Sequence, residues 1–93
     1  MFKSLEELIE IIRERKNSNS QKSYTNQLIK NKKMCIEKVY EEIDELVEAI
    51  HNNNNQIHEA ADVLYHLLVL LESNEVKIED VMKELKKRQN EVR

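Results

Sequence analysis

Neither glycine nor proline occurs anywhere in these 93 residues. Without glycine no residue takes positive φ freely, and two-residue hairpins lose their usual builder, so tight β-structure is excluded on turn chemistry. Helices lose their usual C-terminal stop as well. Asparagine stands where the breaks are expected, at Asn17 to Asn19, Asn31, Asn52 to Asn55 and Asn74, and it tolerates the left-handed conformation better than other non-glycine residues.

Tryptophan is absent, the aromatic share is 4%, and the net charge is −3. Such a chain has no overall field to attract a phosphate backbone and few rings to stack bases, so nucleic acid is set aside as a partner. The single cysteine, Cys35, rules out an intrachain disulfide and a thiolate zinc cluster, and is expected as a small buried apolar residue. No apolar run approaches the roughly 20 residues that cross a bilayer. Met1 to Ile12 carries Glu6, Glu7 and Glu10 among its apolar residues, so it lacks the core of a secretory signal. The expectation is a cytoplasmic protein with no membrane partner.

What is present is helical periodicity. Apolar residues make up 40% and charged residues 35%, ordinary for a soluble helical domain. The length fits one domain over 1–93, an all-α bundle of about four to five helices. A chain this short buries a modest share of its surface, so a partner subunit would help complete the core.

Ser4 followed by Glu7 reads as a capping box, and Leu5, Leu8, Ile9 and Ile12 then recur at helical spacing, predicting a helix from about Leu5 to Lys16. After a polar stretch over 17–22, Ser23 can cap a short helix through Tyr24, Leu28 and Ile29. From about Lys32 to His51 the positions Ile36, Val39, Ile43, Leu46, Val47 and Ile50 fall on one stripe with acids opposite. A helix from about Gln56 to Ser73 follows, with Val63, Leu64 and the run 67–71 surrounding most of its circumference, so it is expected in the middle of a bundle shared with a second subunit. A last helix, about Ile78 to Val92, is expected to turn Val81, Met82 and Leu85 inward.

Two acidic clusters interrupt this pattern. Glu41, Glu42 and Glu45 form an EExxE set; at about 100° per residue, Glu42 sits at the edge of the apolar stripe, Glu45 about 60° further round, and Glu41 further out. Alone such a set is usually a solvated face, the reading given to Asp44 and Glu48. Glu59 and Asp62 form ExxD on the most apolar helix of the chain, with His66 on the same arc. Burying unpaired carboxylates costs several kcal/mol each unless a cation or hydrogen bonds compensate, and that helix contains no lysine or arginine. Two acid groups facing one another across a short loop make an all-oxygen site suited to Mg²⁺, with Mn²⁺ as a second possibility. His66 fits a phosphate contact and a hydrogen-bonded core residue equally. Tyr24 and Tyr65 read as packing residues, and His51 and His58 as exposed flanks of the asparagine loop.

With both clusters in place, the chain resembles the phosphoribosyl-ATP pyrophosphatase family, within the all-α nucleotide pyrophosphatases that include the MazG proteins. The resemblance rests on Ser23-Tyr24-Thr25 followed by Leu28, on Lys38-Val39 before the glutamates, on the run from Glu59 to Leu71, and on Asp80-Val81 with Leu85 and Arg88. It implies hydrolysis of phosphoribosyl-ATP to phosphoribosyl-AMP and pyrophosphate, the second step of histidine biosynthesis, by a Mg²⁺-dependent helical homodimer. On this basis Glu42, Glu45, Glu59 and Asp62, with Glu41, are expected to hold the metal and carry catalysis. Lys38 and Arg88 are candidates for phosphate contacts, Ser23 and Thr25 for phosphate or ribose, and Tyr24 and His66 complete the expected substrate surface. The alternatives are a house-cleaning nucleoside triphosphate pyrophosphatase of MazG type, with the same chemistry on another substrate, and a non-catalytic helical dimer whose acids are only surface charge.

Overall fold

A computed structural model describes residues 1–18 and 23–91. The chain order is α1 (Lys3–Lys16), α2 (Tyr24–Lys30), α3 (Lys32–His51), α4 (Gln56–Ser73) and α5 (Ile78–Lys87), closed by a 3-10 turn over Arg88–Glu91. No strand occurs among the described residues. The bounds of α3 and α4 are those the periodicity gives. Two helix starts and ends differ. Ser4 lies inside α1, which begins after Phe2 with no side-chain cap, so the expected capping box does not form. The last helix tightens to 3-10 geometry at Arg88 rather than continuing, and Val92 lies outside the described residues.

Asparagines punctuate the chain as expected. Asn31 ends α2 and starts α3, its Oδ1 accepting from the Met34 amide at 3.1 Å. Asn53 and Asn55 take φ of 53° and 61° in the α3–α4 turn, where the Asn54 amide returns to the Ala49 carbonyl at 2.9 Å. The third left-handed residue is Glu75, φ 60°, at the end of α4, a position where a β-carbon costs roughly 1–2 kcal/mol. Lys16 fastens it, donating to Glu75 Oε1 and to the Glu72 carbonyl, both at 2.8 Å. One lysine thus holds a strained turn and adds a second donor to the Glu72 carbonyl, which also accepts from the Glu75 amide at 3.3 Å.

α3 and α4 pack as an antiparallel hairpin, with α1 and α2 laid across α4. The core gathers Ile9, Ile12, Leu28, Cys35, Leu68 and Val69, flanked by Leu5, Leu8, Met34 and Tyr65. Cys35 is buried as expected, and burial pushes its thiol upward, away from the reactive thiolate. Arg13 clamps α1 to the far end of α4 and to α5: its Nε donates to buried Glu72 at 2.5 Å, and its two terminal nitrogens grip Glu79 at 2.9 and 2.6 Å. The buried Asn26 side chain joins α2 to the exit of α1 through the Arg15 and Ser18 carbonyls.

Apolar side chains of three helices lie exposed in this single chain, where only Met82 and Leu85 of α5 are expected to turn inward without a partner subunit. On α3 the core contacts come from Cys35, Val39, Glu42 and Ala49, while Ile43, Val47 and Ile50 lie exposed. On α4 Leu64 is exposed, so that helix is not enclosed on all sides within one chain. Met82 and Leu85 of α5 are also exposed. For α3 and α4 the physical reason is shared: a hairpin of two helices buries one stripe of each, and the three shorter helices do not wrap both of its faces. Among the described residues no helix is long and apolar enough to cross a membrane.

Candidate active site

The α3–α4 hairpin brings the two acidic clusters face to face. Glu42 sits on the stripe of α3 that packs against α4, and Glu45 follows one turn later. Glu59 comes from the first turn of α4, where the helix dipole favours negative charge, and Asp62 lies three residues on. Carboxylate oxygens of Glu42, Glu45 and Glu59 lie within 4.8 Å of one another. Glu59 also belongs to a second group, in which donor atoms of His58, Glu59 and Asp62 lie within the same limit.

These carboxylates are poorly compensated. Glu42 is only 7% exposed, and neither its Oε2 nor the Oε2 of Glu59, both buried, has a hydrogen-bond partner. Among the described residues no lysine or arginine pairs with Glu42, Glu45, Glu59 or Asp62. Burial first, and then the adjacent Glu45 carboxyl, push both Glu42 and Glu59 above the usual carboxylate range. A cluster of this kind is costly as it stands. Its donors, all oxygen and already converged, fit a hard divalent cation that would take up the open valences. A polar depression of about 230 Å³ lined by Glu45, Glu48, Asn52, Asn54, Asn55 and Glu59 opens beside it. A larger cavity of about 720 Å³ lies between α1 and α5, lined mainly by Phe2, Leu5, Ile9, Ile78 and Met82, and contains none of the clustered acids.

A second layer supports α4. The His66 Nδ1 lies 2.7 Å from the Asp62 carbonyl oxygen; a carbonyl only accepts, so Nδ1 carries the proton. In the neutral ring Nε2 then accepts, and the Tyr24 hydroxyl donates to it at 3.1 Å. The Thr25 hydroxyl is hydrogen-bonded to that of Tyr65. Tyr24 and Tyr65 stack at 6.3 Å, and His66 meets both rings edge-on. Ser23 caps α2, its hydroxyl accepting from the Asn26 amide at 3.3 Å. The Ser-Tyr-Thr segment therefore fixes α2 against the helix that carries Glu59 and Asp62, and His66 is both buried and within electrostatic reach of Glu42.

Some expected members stand apart. Glu41 is exposed and pairs with Lys38 at 3.4 Å; one position round the helix from Glu42, it lies outside both groups of converged donors. Lys38 is held by that pair, near Tyr24. Arg88, opening the 3-10 turn, pairs with Glu84 of α5 at 2.8 Å, and among the described residues no ion pair joins it to the clustered acids. Asp44 and Glu48 are exposed as expected. His58 is exposed too, but it joins the cluster, its Nε2 3.4 Å from Asp62 Oδ2; its i,i+4 spacing to Asp62 is the signal that the sequence carried.

The profile of the phosphoribosyl-ATP pyrophosphohydrolase family matches residues 5–89. The chain belongs to that family. Among curated relatives, the phosphoribosyl-ATP pyrophosphatase of Clostridium novyi (strain NT) is 42% identical over 91 residues, covering 95% of this chain and 83% of the relative. That of Roseobacter denitrificans is 41% identical over 90 residues, covering 94% and 86%. An archaeal relative of the same name, from Methanococcoides burtonii, is 35% identical over 91 residues and 92% of each chain. The match to the family spans α1 to α5, and so includes every residue of the acid cluster and of the Tyr24–His66 support.

Proposed function

We propose that this chain is a cytoplasmic, Mg²⁺-dependent hydrolase that converts phosphoribosyl-ATP to phosphoribosyl-AMP and pyrophosphate in histidine biosynthesis. The observation that carries the chemistry is Glu42: a carboxylate almost wholly buried, with one oxygen unpartnered, converging with Glu45 of its own helix and with Glu59 across the hairpin. The substrate is carried by family membership and by the relatives' shared name.

Glu42, Glu45, Glu59 and Asp62 are the residues to hold Mg²⁺. When bound, such an ion withdraws charge from phosphoryl oxygens and makes water more acidic. The chain's own groups do the rest. Water attacks the α-phosphorus, the bond from that phosphorus to the oxygen bridging to the β-phosphorus breaks, and pyrophosphate leaves with that oxygen. A carboxylate of the cluster takes the proton that the water releases. Tyr24 and His66 hold α4 at the register that keeps Asp62 facing α3. Lys38 lies at the same edge, where it can meet a phosphate once released from Glu41.

The exposed apolar strip supports a homodimer. Tyr40, Ile43, Val47 and Ile50 recur at helical spacing on the exposed side of α3, and Ile57 and Leu64 of α4 are exposed as well, the kind of apolar surface that marks an interaction face. The occupant it fits is a second copy, because the strip lies on the same two helices that carry the acids.

Purified protein given phosphoribosyl-ATP and, separately, ordinary and damaged nucleoside triphosphates at equal concentration should release pyrophosphate mainly from phosphoribosyl-ATP. Asp62→Asn should abolish release with helical content unchanged. Equal turnover of all substrates points to a house-cleaning enzyme, and full activity in Asp62→Asn rejects the site.

A further inference from the structure

We infer that His58 makes the outer half of the acid cluster a mixed nitrogen–oxygen metal site, with Glu59 shared between it and the all-oxygen half, so that this chain binds Mn²⁺ in preference to Mg²⁺ there. The inference rests on the reading that the cluster holds a divalent cation.

The geometry is specific to the first turn of α4. His58 Nε2 lies 3.4 Å from Asp62 Oδ2 and 4.0 Å from Glu59 Oε1, and one donor atom from each of the three falls within 4.8 Å of the others. Neighbouring ligands on an octahedral ion with bonds of about 2.1 Å stand about 3 Å apart, so the Asp62 edge is already near ligand spacing and the Glu59 edge needs a small side-chain rotation. His58 is free to make it, being exposed. The inner half has its own mark of an ion: Glu42 is 7% exposed with Oε2 unpartnered, and it shares Glu59 with the outer half. Glu59 therefore presents carboxylate oxygens to two donor groups, one of carboxylates only and one containing an imidazole.

That difference decides the metal. Carboxylates alone suit Mg²⁺, while imidazole is a poor ligand for Mg²⁺ and a good one for first-row transition ions. The other nearby imidazole cannot take this role, since both nitrogens of His66 are engaged, Nδ1 with the Asp62 carbonyl and Nε2 with Tyr24.

The test uses the full chain, loaded with Mn²⁺ alone and with Mg²⁺ alone, beside the variants His58→Ala and His58→Gln. Pulsed electron paramagnetic resonance of the Mn²⁺ form should show imidazole ¹⁴N modulation that both variants lose. Calorimetric titration should show Mn²⁺ affinity falling on the order of tenfold in His58→Ala, the scale on which even outer partners of ligating groups act, while Mg²⁺ affinity moves by less than about twofold. Absence of ¹⁴N modulation, or equal Mn²⁺ affinity in wild type and variants, overturns the assignment of His58 and leaves the Mg²⁺ reading standing. Failure of the wild-type chain to bind either ion overturns both.

Discussion

Replacing Glu42 by glutamine should make the metal-free protein more stable and the enzyme inactive. Glu42 is 7% exposed, its Oε2 has no partner, and the carboxylates of Glu45 and Glu59 stand close by. Leaving a buried polar atom unsatisfied costs about 1–3 kcal/mol, more when it is charged. Glutamine keeps the shape, removes the charge and offers an amide hydrogen to a neighbouring carboxylate, so a gain of about 1–3 kcal/mol is expected in chelator. For a domain of this size each kcal/mol moves the melting temperature by roughly 4–8 °C. Mg²⁺ should reverse the order: at a hundredfold excess over Kd a bound ion stabilises by about 2.7 kcal/mol, a term the variant largely loses. The gain also depends on pH. Burial holds the Glu42 carboxyl above its ordinary 4.5 in the folded chain, so protonation favours folding. That contribution is complete below the unfolded value and is lost as pH rises through the folded one. The gap between variant and wild type should therefore close on acidification. Urea denaturation at one protein concentration, in chelator and in Mg²⁺, measures each part. A variant less stable than wild type in chelator, or equally stabilised by Mg²⁺, refutes the reasoning.

Arg13→Met strips buried Glu72 of its partner and should cost about 3 kcal/mol, read as a lower urea midpoint and partly restored by adding Glu72→Gln. Arg13 also holds the Glu79 carboxyl at about 2 against its ordinary 4.5, stability that is present above 4.5 and lost as pH falls toward 2; Glu79→Gln should flatten that acid limb of the denaturation midpoint, and an unchanged limb would show that the pair is idle. Tyr24→Phe removes the donor to His66 Nε2 and should cost about 1 kcal/mol, with the drop in thermal midpoint absent if His66 finds another partner. Val47→Glu, on the exposed strip, should shift the protein to monomer in sedimentation velocity while leaving its helical content intact; a persisting dimer would move the interface elsewhere.

Helix bounds were legible because asparagine marks them so consistently in a chain without glycine or proline. The same signal failed at Glu75, a left-handed residue that no propensity suggests; a distant contact, Lys16, decides it. Ser4 failed for the opposite reason. A capping box needs the chain to leave helical geometry at the serine, and α1 starts earlier, with the Glu6 amide already bonded to the Phe2 carbonyl at 3.1 Å. Local pattern shows where a helix can begin, and packing selects among the starts it allows.

The site was legible to the same depth as the fold. ExxD on an apolar helix announced itself by cost, since carboxylates there need compensation. Periodicity gives only relative angle, however, and an apolar stripe of α3 reads alike whether it meets its own chain or another. The stripe of Ile43, Val47 and Ile50 lies exposed, while Glu42, expected at its edge, takes the core-facing position. That exchange gives the hairpin its chemistry. Had the isoleucines and valine packed against α4, Glu42 would have turned toward water, gained hydration, and met Glu59 only across solvent. Because the apolar stripe is turned away, a carboxylate is left inside the hairpin, where Glu59 meets it without intervening solvent.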